Sequence, residues 1–280
     1  MGEIMTSLLE LVKRLRELSP REHTVRGLES RVEIGPQTET ELANTTINRV
    51  LIATYPSARV VTKATQDKVN LLITYRPLFP FAIDRISGLD LIRVRLLTKN
   101  YISSYVVGSG WLCKRDGLND ALVETLGFKR TGDFMAESDF GELSPVGRIC
   151  KPPGVKNQSG FVNYLAAKMG LETVLFSGDL DDEVEEVLVI AGSTVDMPEI
   201  ISAKNQGFDT LVTGDLSPEI RLLANEEGIN TLELGAFSTE EPGMKRLRDV
   251  ISLDFPEMKI EFTESGSLAK ALRPYKDDMA

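Results

Sequence analysis

The sequence contains a single histidine, His23, in 280 residues. Imidazole is the commonest protein ligand for first-row metals and the usual general base. A multi-histidine metal centre or a Ser-His-Asp triad would have only this residue to build on. His23 stands in SPREHTVRG, a polar stretch with no second ligand beside it, which reads as an exposed loop. Cysteine is nearly as scarce: Cys113 and Cys150 can supply neither a disulfide framework nor a thiolate zinc site. No run approaches ~18 apolar residues, and the N-terminus lacks the apolar core of a signal peptide. A cytoplasmic location without membrane contact is the expectation. Positive charge is also short, with 32 Lys and Arg against 42 Asp and Glu, a net charge of −10. That disfavours non-specific binding to nucleic acid or to an anionic membrane.

What the chain does have is a hydrophobic content of 42%, ample for a core, distributed as short apolar runs separated by amphipathic stretches. The stretch Phe208–Glu240, FDTLVTGDLSPEIRLLANEEGINTLELGAFSTE, sets the pattern. Leu211–Thr213 reads as a buried strand that breaks at Gly214-Asp215. Ser217 stands at an N-cap position, with Pro218 at the first helical position and Glu219 in the first turn. Ile220, Leu222, Leu223 and Ala224 give that helix an apolar side, and Gly228 closes it. Ile229–Leu234 is the next strand, and Gly235–Glu240 leaves its carboxyl end, where open α/β sheets bind ligands.

The same reading along the rest of the chain predicts an amphipathic helix over Met5–Leu18 and a short edge strand at Arg31–Ile34. Strands follow at Val50–Thr54, Leu71–Thr74 and Ile102–Val107, with helices near Ser57–Asp67, within Arg85–Asn100 and over Asn119–Leu126. Phe128–Pro153, rich in Gly, Pro and acids, reads as a crossing segment between lobes. Beyond it come a helix at Gly160–Met169 and strands at Thr173–Phe176 and Val187–Ile190. The acidic run DLDDEVEE between those strands lacks the glycine and spacing of a calcium loop and reads as a solvated hairpin or edge. Ala191-Gly192-Ser193-Thr194 is a weak phosphate cradle, having one glycine and no Gly-Lys pair. Helices at Pro198–Gln206 and Met244–Ile251 and a strand at Lys259–Glu264 follow, with a frayed end at Tyr275–Ala280. Val69–Phe79 echoes the pattern of Phe208–Pro218, and Arg95–Gly108 that of Arg221–Ala236. Two echoes in the same order predict a duplicated strand-helix-strand unit.

These segments together resemble the NIF-three family (NGG-one-interacting factor three), whose members are also called GTP cyclohydrolase I type two-like. Four motif positions carry the likeness. The family's His-His-Pro-Leu falls on Tyr75-Arg76-Pro77-Leu78. Its His-Thr-x-x-Asp loop and following helix fall on Gly108-Ser109, Leu112, Gly117, Asn119 and Asp120. Its Thr-Gly-Asp turn is Thr213-Gly214-Asp215. Its Gly-His-x-x-Thr-Glu falls on Gly235, Ala236, Thr239 and Glu240. The resemblance implies an α/β fold of two intertwined, duplicated lobes with mixed sheets. The expected division is 1–135, 136–245, and a 246–280 segment returning to the first lobe. It also implies a two-metal site between the lobes and assembly into a homo-oligomer, often a hexamer.

The five positions where the family holds its metals are here Tyr75, Arg76, Leu112, Ala236 and Glu240. Leu112 and Ala236 have no donor atom, and Arg76 is a fixed cation that repels another. No metal cofactor is therefore expected. The expected function is an oligomeric binding or assembly protein whose degenerate site takes a small anion or a nucleotide through Tyr75, Arg76, Asp215 and Glu240. The competing expectation is a hydrolase with a remodelled site, GTP cyclohydrolase-like, for which Asp116 and Cys113 are further candidates. Glu240, stripped of metal, is expected to pair with Arg76.

Overall fold

Two sets of three short parallel strands organise the chain in a computed structural model that describes residues 6–266. In chain order the first half runs β1 (Thr6–Ser7), α1 (Leu8–Leu18), β2 (Arg31–Ile34), α2 (Glu39–Ala43), β3 (Thr46–Ile47), β4 (Arg49–Ala53), α3 (Ala58–Gln66), β5 (Leu71–Thr74), α4 (Gly88–Lys99) and β6 (Ser103–Val106). The middle holds α5 (Gly110–Cys113), α6 (Leu118–Leu126), β7 (Lys129–Glu137), β8 (Leu143–Lys151) and α7 (Gln158–Met169). The remainder is β9 (Leu175–Ser177), β10 (Val187–Ile190), α8 (Met197–Asn205), β11 (Thr210–Thr213), α9 (Pro218–Glu226), β12 (Asn230–Glu233), α10 (Ala236–Asp254) and β13 (Lys259–Phe262).

The larger sheets have strand orders β13-β4-β5-β6-β2 and β7-β8-β10-β11-β12-β9. In each, the three central strands are parallel and joined by helices, and the outermost strand beyond the third is antiparallel. The strands β5, β6, β10, β11 and β12 are buried along their whole length, because helices cover both faces of a parallel sheet. That is why they appear in sequence as apolar runs such as VLVI and LLIT. The unit β5-α4-β6 has the same connectivity and sheet position as β11-α9-β12. The lobes are duplicated, as the echo between those segments predicts. The last strand, β13, pairs with β4 in the first sheet although its chain has just left the second. This connection intertwines the two lobes.

Side-chain caps start several of the helices that Ser, Thr, Asp or Asn precede, though not α4 after Ser87 or α5 after Ser109. Ser7, Thr38 and Asp196 form capping boxes with Glu10, Glu41 and Glu199, and Ser217 accepts from the amide of Ile220. Helix α1 begins at Leu8; Met5 lies outside the described residues, as does the stretch expected to fray at Tyr275–Ala280.

Three expectations need correction. Phe128–Pro153 is no crossing loop but the long hairpin β7–β8, paired to β10 in the second sheet. Asp139, Gly141 and Glu142 fall at its turn, Gly132 and Pro145 lie where the ladder register shifts, and Asp133, Glu137 and Gly147 sit within the strands. Strands β9 and β10 form no hairpin; β9 pairs with β12 at the far edge of the sheet, the other reading of that stretch. Helix α10 starts at Ala236, eight residues before the expected start, and runs through Pro242. Its buried positions Ala236, Thr239, Glu240, Gly243, Met244, Leu247 and Ile251 recur at helical spacing. Burial of that stripe outweighs the lost hydrogen bond at one proline.

Candidate functional site

The carboxyl ends of the two parallel sets meet. Tyr75 and Arg76 leave β5, where their amides bond the carbonyls of Ala53 and Thr54. Gly214 and Asp215 leave the equivalent strand β11, and the N-terminus of α10 follows β12. Two glycines allow these ends to close up. A Cβ on Gly214 would lie 2.3 Å from the Gly192 carbonyl, and one on Gly192 would lie 2.6 Å from a Glu240 oxygen.

Across this junction Arg76 grips Glu240. Its Nε lies 3.0 Å from each carboxylate oxygen, and its Nη2 also reaches Oε1. Nη2 further donates to Ser193 Oγ at 3.0 Å, tying in the loop after β10. Glu240 is completely buried, whereas the Arg76 side chain keeps 27% of its surface. Burial pushes the Glu240 carboxyl up to about 7, although the hydrogen bonds and charge of Arg76 pull the other way. Burial also works against the Arg76 charge, but Glu240 outweighs it and the guanidinium is held above its ordinary value. Phe237 lies beneath the same guanidinium, 5.9 Å from it, and Tyr55 stacks on Phe237 with centroids 6.1 Å apart.

A cavity of ≈ 210 Å³ opens beside the pair, with Tyr55, Tyr75, Arg76, Arg26, Ser193 and Thr194 among its lining residues. Tyr75 is buried, and its hydroxyl makes no hydrogen bond of ordinary geometry among the described residues. Burial, followed by the charge of Glu240, keeps the phenol protonated far above its ordinary range, although Thr194 lies near enough to pull its titration down slightly. Arg26 is held in the left-handed region at φ 58° by Asp139, which accepts from the amides of Arg26 and Gly27. Its guanidinium reaches Glu199 and the Thr194 carbonyl.

The sequence candidates separate into different roles. Tyr75 and Arg76 line the cavity. Glu240 sits behind Arg76 and does not line it. Asp215 is exposed and accepts from the amide of Ala236 at 3.0 Å, capping α10. Cys113 is fully buried, its thiol pushed up to about 12 by burial, so it is no activated nucleophile. Asp116, at φ 61°, donates its amide to Asp120 and its carbonyl accepts from Arg246. It is a turn residue. Arg26 and Tyr55 were not anticipated. Tyr55 follows β4 as Tyr75 follows β5, so the strand-end rule could have found it. Arg26 carries no comparable signal, because a polar loop of uncertain structure surrounds it in the sequence.

With that geometry in view, the comparisons decide the family. The model of Duf34/NIF3 (NGG1p interacting factor 3) matches residues 8–267. The chain belongs to the Duf34/NIF3 family. Among its relatives, a Clostridium perfringens protein named GTP cyclohydrolase 1 type 2 homolog is 28% identical over 73% of this chain and 78% of its own. A Methanocaldococcus jannaschii protein of the same name is 24% identical over 90% of this chain and 98% of its own. A Bacillus cereus protein related to NIF3 superposes with a TM-score of 0.80 at 16% identity, covering 96% of this chain and 99% of that one. Reduced HcgD from Methanocaldococcus jannaschii superposes at 0.73 and 22% identity, covering 93% and 99%. At these identities the structural likeness is one of fold.

The residues of this NIF3 chain do not fit the metal pair its family resemblance implies. Glu240 already spends both oxygens on Arg76. Leu112 and Ala236 are buried side chains without a donor atom. Among the described residues no group of three or more His, Cys, Asp or Glu could hold a metal ion. Nor is any helix among them long and apolar enough to cross a membrane.

Proposed function

We propose that this NIF3-family chain is a metal-free binding protein, not a metal-dependent hydrolase, and that its inter-sheet cavity takes a small anion. The observation that carries this reading is the two-toothed grip of Arg76 on the fully buried Glu240. A hydrolytic metal pair needs oxygen or nitrogen donors on both ions, and a guanidinium at that position supplies positive charge instead. The cation that faces Glu240 is then part of the chain and cannot polarise a bound water. The mouth of the cavity still offers guanidinium and hydroxyl donors at strand ends, where α/β folds bind ligands. The name of the curated relatives makes GTP the substrate to try first. Incubation with GTP, alone and with added zinc or manganese, should give no turnover above the protein-free rate. Metal-stimulated turnover of GTP would overturn the proposal.

A further inference from the structure

Resting on that reading, the polar groups left over in the cavity narrow the kind of anion it takes. Besides the Ser193 hydroxyl, which accepts from Arg76 and donates to nothing among the described residues, two donors are uncommitted. The Tyr75 hydroxyl is buried without a partner, and Arg76 has Nη1 free among the described residues, its other nitrogens being spent on Glu240 and Ser193. A buried unpaired hydroxyl is costly, and the native fold carries that cost here until something accepts from it. The charges around the cavity leave no excess of positive charge. Arg76 is neutralised by Glu240, and Arg26 by Glu199, with Asp196 3.9 Å from its Nη1. A dianionic phosphate would bring two negative charges toward these carboxylates with no spare positive one to meet them, whereas a singly charged group brings half that repulsion. Much of the remaining wall is apolar, from Val25, Leu28, Pro77 and Pro80 together with the Tyr55 ring, with Ser109, Ser193 and Thr194 beside them. The volume of ≈ 210 Å³ lies below the roughly 300–1,000 Å³ of sites that enclose drug-sized ligands. A whole nucleotide is too large to be enclosed.

We infer that the cavity binds a small organic monocarboxylate with an apolar body, its carboxylate accepting from Tyr75 Oη and Arg76 Nη1 and its body against Leu28, Val25 and the prolines.

Benzoate and isovalerate serve as probes, with benzamide as the uncharged match of benzoate, and inorganic phosphate and GMP as the phosphorylated alternatives. Calorimetric titration of the full chain should show saturable binding of the two carboxylates, with the other three at least about tenfold weaker. Tyr75→Phe removes only the orphan hydroxyl. It should raise the unfolding midpoint of the free protein while weakening benzoate by about tenfold or more, since a hydrogen bond to a charged group is lost. A merely structural tyrosine would move stability and leave binding unchanged. Magnetisation transfer from benzoate to the methyls of Leu28 and Val25 in the unaltered protein checks the site without any variant. Phosphate or GMP binding more tightly than benzoate would overturn the carboxylate assignment while leaving the anion cleft standing. Equal benzoate affinity in Tyr75→Phe, or a lower midpoint for that variant, would overturn the role of Tyr75 and with it the inference. If none of the five probes binds, the inference and the anion-binding reading beneath it fall together.

Discussion

Above about pH 7, where Glu240 is ionised, Arg76→Ala should destabilise the protein by about 3–5 kcal/mol, the range for breaking a buried ion pair, against about 0–1 for a surface pair. The loss arises because Glu240 stays behind, completely buried, with no cation facing it. Adding Glu240→Gln should recover part of the loss, since the double variant no longer buries an unpaired carboxylate. Urea unfolding of the four proteins in a double-mutant cycle measures the coupling. Additive losses would mean that the pair is decorative. The same carboxyl sets a pH dependence. Its native value is raised to about 7 by burial, above that of an exposed carboxylate in the unfolded chain, so the native state holds the proton more tightly. The stability it contributes is complete below the unfolded value near 4.5 and is lost as pH rises to about 7. Above that the curve flattens. Glu240→Gln should remove this slope.

A comparable loss, again about 3–5 kcal/mol, is expected for Arg148→Ala. Arg148 lies on β8 with no exposed surface. Its Nε and Nη2 each meet an Asp120 oxygen at 2.9 Å. Nη1 reaches the carbonyls of Pro145 and Gly147, and Nη2 those of Cys113 and Lys114. One side chain thus fastens the α5–α6 turn to the second sheet, satisfying carbonyls that would otherwise be buried and unpaired. Burial works to raise the Asp120 carboxyl, but Arg148 outweighs it and the net shift is downward. Arg148→Lys should rescue little, because an ammonium cannot span both Asp120 oxygens and the loop carbonyls together. Full rescue by lysine in an unfolding titration would show that charge alone matters there.

How much of this could be read beforehand depended on whether the signal was local. Strands such as Leu71–Thr74 and Val187–Ile190 are buried on both faces, so composition alone marks them. The helix after Ser217-Pro218 announces itself through its cap and first turn. The hairpin β7–β8 was hidden because its Gly, Pro and acids, which look like loop residues, are needed for its turn and bulges. Helix α10 was cut short because Pro242 outweighs the apolar stripe when only local propensity is weighed. At the site, Tyr75, Arg76 and Glu240 were legible through the motifs around them. Their division of labour was not, since nothing in the sequence puts Glu240 behind Arg76 or leaves Tyr75 without a partner. Asp215 belonged to a recognisable turn, yet its carboxylate caps α10.

The central claim is that a guanidinium stands where a metal pair would, and metal content tests it most directly. The protein should be purified without chelator and without metal affinity resin, then submitted to elemental analysis for zinc, iron, manganese, cobalt and nickel. The account predicts contents far below one atom per chain for every metal. A single metal retained at one atom or more per chain, through extensive dialysis, would contradict it.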